Sequence, residues 1–307
     1  MPSLITKPYM RKYLLYIFLS LSFSISASGF QSRMDTLRWE SDSIIIGGKR
    51  TVHFAQIYLP DSEPTDSLPV LYLFHGFMGN QYSWEEKAGI TALLDSLIEG
   101  KAIRKLMVVM PYCIPRDTMQ AVQLRSALYN IFHYGRLKRG EFERTFSDMD
   151  AYLKQRYPMQ ADSACSIAGL SYGARVAANI ALERTYKAVG LFSPVIDKHQ
   201  YPPADSSCVA SYWVRVGGVD FFEPSAVRFR KYMTRHNLPI DYATTDGAHN
   251  WRNWRRYLIA FLTHYYPMEA PQDSIELRDL EEREVDSIIP FEPVPMFADS
   301  IDNALPD

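Results

Sequence analysis

The chain has 307 residues, 47% of them hydrophobic and 22% charged, with a formal net charge of -2. That length suffices for one large domain with a sizeable core or for two small ones, and the near balance of charge implies no polyanionic partner such as nucleic acid. Three cysteines (Cys113, Cys165 and Cys208) are an odd number, which excludes a full intramolecular disulfide framework.

Residues 1–29 have the order of an export signal. Lys7, Arg11 and Lys12 form a basic start, residues 13–23 an apolar core, and Ser26, Ala27, Ser28 and Gly29 a small-residue cleavage region. The alternative is an uncleaved anchor, but the core is short for a span of about 20 apolar residues. The expected destination is periplasmic or secreted, with no membrane span left after cleavage.

Residues 30–266 carry the periodic patterns. Two extended segments, 36–46 and 51–59, meet around Gly47-Gly48, and a turn and surface loop follow from Pro60. Residues 70–74 (VLYLF) are a continuous apolar run, the pattern of a strand buried on both faces of a parallel sheet. His75-Gly76-Phe77 ends it. A helix over 90–98, a strand over 106–110 and a helix over 142–157 come next. Between the last two, 113–140 shows poor periodicity, and long irregular segments in compact domains are commonly functional. It is expected to form a loop over the site. Strands at 188–192, 212–216 and 240–244 then alternate with helices to about 184, over 225–236 and over 251–265. Strands alternating with helices predict a doubly wound, mostly parallel α/β sheet, here with an antiparallel pair at its start. Residues 267–307 differ in kind. They are acidic and rich in proline, with a short helix conceivable only at 274–285, and are expected to stay disordered.

The chemistry centres on Cys165 to Arg175, where an apolar run enters Gly169-Leu170-Ser171-Tyr172-Gly173 and small residues continue as a helix. This is the form of a nucleophile elbow, with the serine on a strained turn between strand and helix. Side chains at Gly169 and Gly173 would collide where the two elements approach. The helix N-terminus below the serine favours developing negative charge. A serine hydroxyl needs a base, and the base needs an orienting acid. His249, in Gly247-Ala248-His249-Asn250-Trp251, is the candidate base. Asp220, after the strand at 212–216, is the candidate acid, with Asp197 and Asp246 as weaker rivals. The backbone N–H groups of Tyr172 and Phe77 are the candidate oxyanion donors. Cys165 itself is expected to be a buried small residue.

VLYLFHGFMGNQYSW, IAGLSYGA, VGGVD and GAHNWRNW together resemble the esterase branch of the α/β-hydrolases. That branch includes feruloyl and acetyl-xylan esterases, enterochelin esterases, the esterase D group and mycolyltransferases. The resemblance runs from about Val52 to Tyr265. It implies the α/β-hydrolase fold, Ser171, His249 and Asp220 as nucleophile, base and acid, and Phe77 and Tyr172 as oxyanion donors. It implies no cofactor, and the sequence has no metal-spaced His or Cys cluster. His75, Trp84, Tyr134 and Trp251 are expected around the substrate. The 113–140 loop, with Arg116, Arg125, Tyr129, His133 and Arg136, departs from any diagnostic pattern and is expected to shape the acyl or alcohol pocket.

The leading reading is an exported serine esterase acting on carbohydrate-linked or siderophore-type esters. An acyltransferase would use the same residues with a sugar hydroxyl as acceptor. A non-catalytic binding module commonly lacks one of the three site residues, and all three candidates are present here.

Overall fold

The structure is a computed structural model and describes residues 31–46, 49–63, 65–114, 141–204 and 210–268. The signal-like segment, Cys208, most of the expected site loop (Tyr134 included) and the acidic tail lie outside the described residues.

Among the described residues, eight strands form one sheet. They are β1 (Arg33–Ile46), β2 (Lys49–Leu59), β3 (Val70–Phe74), β4 (Met107–Pro111), β5 (Ser166–Leu170), β6 (Ala188–Phe192), β7 (Ser211–Gly217) and β8 (Ile240–Thr245), in spatial order β1-β2-β4-β3-β5-β6-β7-β8. β1 and β2 pair antiparallel, as do β2 and β4, while every pairing from β4 to β8 is parallel. This is the mostly parallel α/β-hydrolase sheet with antiparallel strands at its start. Each residue of β3, β4, β5 and β6 is buried, which their unbroken apolar runs require. β8 closes the far edge, is only partly buried, and carries the charged Asp241, a kind of side chain that blunts an open sheet edge.

The helices are α1 (Ser83–Ala88), α2 (Ile90–Glu99), α3 (Glu141–Arg156), α4 (Tyr172–Ile180), α5 (Glu223–Arg235) and α6 (Trp251–Tyr265). On one face Phe146, Met149 and Leu153 of α3, Ala174 and Ala177 of α4, and Phe229 and Met233 of α5 join Tyr72, Ile167, Leu191 and Val214 in the main core. On the other, Trp84 of α1 and Tyr257 and Phe261 of α6 gather around Phe192 and Trp213. The elbow helix ends at Ile180, a few residues earlier than its pattern suggests. Its last turn tightens there, with Leu182 N–H bonded to Asn179 O and Glu183 N–H to Ile180 O.

Cys113 and Cys165 are both buried free thiols. No helix among the described residues is long and apolar enough to cross a membrane.

Candidate active site

Parallel strands all present their carboxyl ends at one edge, and the loops there hold the candidate residues. Ser171 follows β5 with φ 53° and ψ -116°, a backbone conformation that a residue with a Cβ rarely adopts. Strain of this kind costs on the order of 1–3 kcal/mol and persists only where the surroundings enforce it. Here Ser171 N–H donates to Phe192 O at 2.8 Å, and Ser171 O accepts from Val195 N–H at 3.4 Å. The flanking glycines make the turn possible. A Cβ on Gly169 would stand 2.4 Å from the Gly173 carbonyl, and one on Gly173 would stand 2.5 Å from His75 O.

The turns bearing Asp220 and His249 are locked together by backbone. Gly218 N–H donates to Thr245 O at 2.7 Å and Val219 N–H to Gly247 O at 3.2 Å. A Cβ on Gly217 would lie only 2.1 Å from Gly247 O. Gly247 adopts φ +99°, which favours glycine. Behind His249, the Asn250 side chain caps α6 by accepting from Asn253 N–H, and Asn253 Nδ2 donates to Ala248 O. The asparagines beside the histidine therefore fix the loop that carries it.

These constraints bring three side chains into one chain of hydrogen bonds. His249 Nε2 lies 3.0 Å from Ser171 Oγ, and His249 Nδ1 lies 2.9 and 3.1 Å from the two Asp220 oxygens. An ionised carboxylate only accepts, so Nδ1 carries the proton and Nε2 is left to accept from the serine hydroxyl. Burial by itself raises the Asp220 carboxyl. The His249 hydrogen bond and charge, the Ser193 hydroxyl and the Phe222 N–H at 2.8 Å outweigh it and hold the group below the usual carboxylate range. The rival acids are elsewhere: Asp197 pairs with Arg175 and caps the short turn Lys198–Gln200, and Asp246 makes no bond to His249.

The HG loop lies against the elbow. A Cβ on Gly76 would be 3.7 Å from Ser171 Cβ, and the Phe77 and Tyr172 rings meet edge to face at 5.9 Å. The segments holding both candidate oxyanion donors thus flank the serine.

Two residues expected around the substrate sit beneath the site instead. His75 is 1% exposed. Cys113 N–H donates to its Nε2 at 3.2 Å, so its Nδ1–H donates to Gly76 O at 2.7 Å. Burial lowers its pKa to about 4, which keeps it neutral, and it ties the HG loop to the chain leaving β4. Trp84 is also 1% exposed. Its indole N–H donates to Phe74 O at 3.3 Å, and its ring stands edge to face with Trp251 at 5.2 Å. An indole of that size fills the core between β3 and α6 and leaves no face for substrate. Trp251 packs against both Trp84 and Trp254 and is nearly enclosed.

Further residues complete the site: Trp254, which the sequence places beside the base as a packing residue, and Ser193, Phe221 and Phe222, which carry no signal in it. Ser193, just after β6, is fully buried with φ 50°, accepts from Trp254 Nε1 at 3.0 Å and hydrogen-bonds Asp220. Trp254 in turn presents its ring edge-on to His249 at 4.8 Å. Phe221 and Phe222 pack on the imidazole at 4.5 and 5.1 Å. Among the described residues no cluster of His, Cys, Asp and Glu could hold a metal.

The family described as "Putative esterase" matches residues 43–217, which include the HG loop and the elbow and stop short of Asp220 and His249. An endo-1,4-beta-xylanase/feruloyl esterase of Xylanibacter ruminicola is 24% identical over 214 residues, 66% of this chain. The chain spans only 28% of that relative's length. Among solved structures, a ferulic acid esterase from Anaeromyces mucronatus in complex with ferulic acid superposes with a TM-score of 0.62 at 17% identity, covering 78% of this chain and 92% of that one. An S-formylglutathione hydrolase from Staphylococcus aureus gives 0.58 at 17% identity, covering 77% and 97%. These likenesses carry the fold, and the family match, over more than half of the chain, carries the membership. The chain belongs to the putative esterase family and has the α/β-hydrolase fold.

Proposed function

We propose that Ser171, His249 and Asp220 are the catalytic triad of an exported serine esterase that cleaves carbohydrate-linked acyl esters of the feruloyl or acetyl type. The continuous hydrogen-bond chain from Ser171 Oγ through His249 to Asp220 is the observation that carries this reading. Ser171 Oγ attacks the ester carbonyl while His249 Nε2 takes its proton. The oxyanion of the tetrahedral intermediate is met by the N–H groups of Phe77 and Tyr172, each worth roughly 2.7–4 kcal/mol of barrier. Collapse breaks the bond to the alcohol oxygen, which receives the proton from His249. Water then attacks the acyl-serine by the same route in reverse roles. Asp220, ionised through the neutral range, holds the Nδ1–H tautomer and stabilises the imidazolium.

The substrate class rests on the feruloyl and ferulic acid esterases among the similar proteins. Export rests on the basic, apolar and small-residue order of residues 1–29.

The test is hydrolysis of p-nitrophenyl acetate and methyl ferulate by the chain without residues 1–29, beside Ser171→Ala. The wild type is expected to turn over at least one ester, and the variant to lose at least about 10³-fold in kcat. Equal rates in both proteins overturn the assignment. Acyl transfer to an added sugar outrunning hydrolysis would place the protein among transferases.

A further inference from the structure

The catalytic reading leaves one prominent side chain unused. Phe221 directly follows Asp220, and its ring centroid lies 4.5 Å from that of His249, tilted by 45°. It also leans on Phe222 at 4.5 Å. Despite two ring partners it is 56% exposed. Its position is fixed, because the Gly217 to Gly247 contact and the Val219 N–H bond to Gly247 O clamp its turn against the histidine's turn. Val219, on the same turn, is 76% exposed, and Met78, next to the oxyanion loop's Phe77, is 63% exposed. Single exposed apolar residues are ordinary on any protein. Here they stand on the two loops that carry the acid and an oxyanion donor.

The chemistry says which part of a substrate meets Phe221. During acylation the Ser171 Oγ–carbon bond forms and the carbon–oxygen bond to the alcohol breaks. The proton taken from Ser171 passes from His249 Nε2 to the departing oxygen. That oxygen must therefore sit within hydrogen-bond reach of Nε2, beside the imidazole. The carbonyl oxygen points the other way, toward Phe77 and Tyr172. A ring packed on the imidazole and still open to solvent adjoins whatever the departing oxygen carries. From Gly217 to Phe222 the turn offers no charged group besides Asp220, which is engaged by His249. The surface thus suits C–H groups. A methyl alcohol would leave the Phe221 face wet, whereas a six- or five-membered ring can cover it.

We propose that Phe221 is the specificity-determining residue of the leaving-group side, a platform for an alcohol whose ring presents a flat C–H face, as a pyranose or furanose does. This rests on the catalytic assignment of Ser171 and His249 above. The test measures kcat/KM for methyl, cyclohexyl and methyl-xyloside esters, each as the acetate and as the ferulate, in wild type, Phe221→Ala and Phe221→Trp. Dividing each ring ester by the methyl ester of the same acid cancels any general damage to His249. The ratio is expected to fall about three- to tenfold in Phe221→Ala and to return in Phe221→Trp. A fall for both rings points to any flat C–H face, and a fall for the xyloside alone narrows the platform to sugars. An unchanged ratio, with or without an equal loss on all esters, overturns the proposal and makes Phe221 a prop for the histidine. Absence of turnover by wild type on every ester overturns the esterase assignment, and this inference with it.

Discussion

His75 and His249 both follow strands at the carboxyl edge of the sheet, yet their surroundings give them different work. His75 is enclosed, with Nδ1 and Nε2 both committed to backbone, and its pKa falls from 6.5 to about 4. Between those values the unfolded chain binds a proton that the folded chain refuses. Its contribution to stability is complete above about pH 6.5 and is lost as pH falls toward 4, on the order of 3 kcal/mol in all. Denaturant melts between pH 7 and 4 should therefore show a steeper loss in wild type than in His75→Gln, which has no group to titrate. Parallel pH dependences would contradict this. The sequence marked His75 by its place in the HG loop, but burial is a tertiary property, and nothing local tells a staple from a pocket wall. Ser193 was harder still. A positive φ at a non-glycine residue has no composition signature, and its importance comes from Asp220 and Trp254, far along the chain.

At the scale of elements, the parallel strands were readable because burial on both faces demands unbroken apolar runs, and 70–74 and 188–192 are such runs. The elbow was readable because steric need fixes its glycines. α1 was not. It has only six residues, and Tyr82 at its start offers no side-chain cap, so it left neither period nor boundary. The contact between the β7 and β8 exits was equally silent, since Gly217 and Gly247 acquire meaning only when apposed. Its consequence is measurable. In Gly217→Ala the new Cβ would stand 2.1 Å from Gly247 O, so the acid and base turns must part. Displacements of about 1 Å cost on the order of 10² in rate. The variant is expected to lose roughly that in kcat, with KM changed much less. Wild-type kcat in Gly217→Ala would show that this contact does not set the Asp220–His249 geometry.

Across the whole molecule, the candidate site belongs to no single segment. Its parts come from the exits of β3, β5, β6, β7 and β8, and Ser171 is 78 residues from His249 in sequence. The sheet order brings them together, with β5 between β3 and β6 and the carboxyl ends of β3 to β8 at one edge. In the proposed mechanism that convergence supplies the base that Ser171 requires.

Labelling with a fluorophosphonate probe, followed by peptide mapping, tests this most directly. The native chain is expected to take one adduct, on Ser171. Ser171→Ala and the urea-unfolded chain should take none, and His249→Ala should label at least about 10²-fold more slowly. An adduct on another serine, no adduct on the native chain, or equal labelling after unfolding would contradict the catalytic assignment.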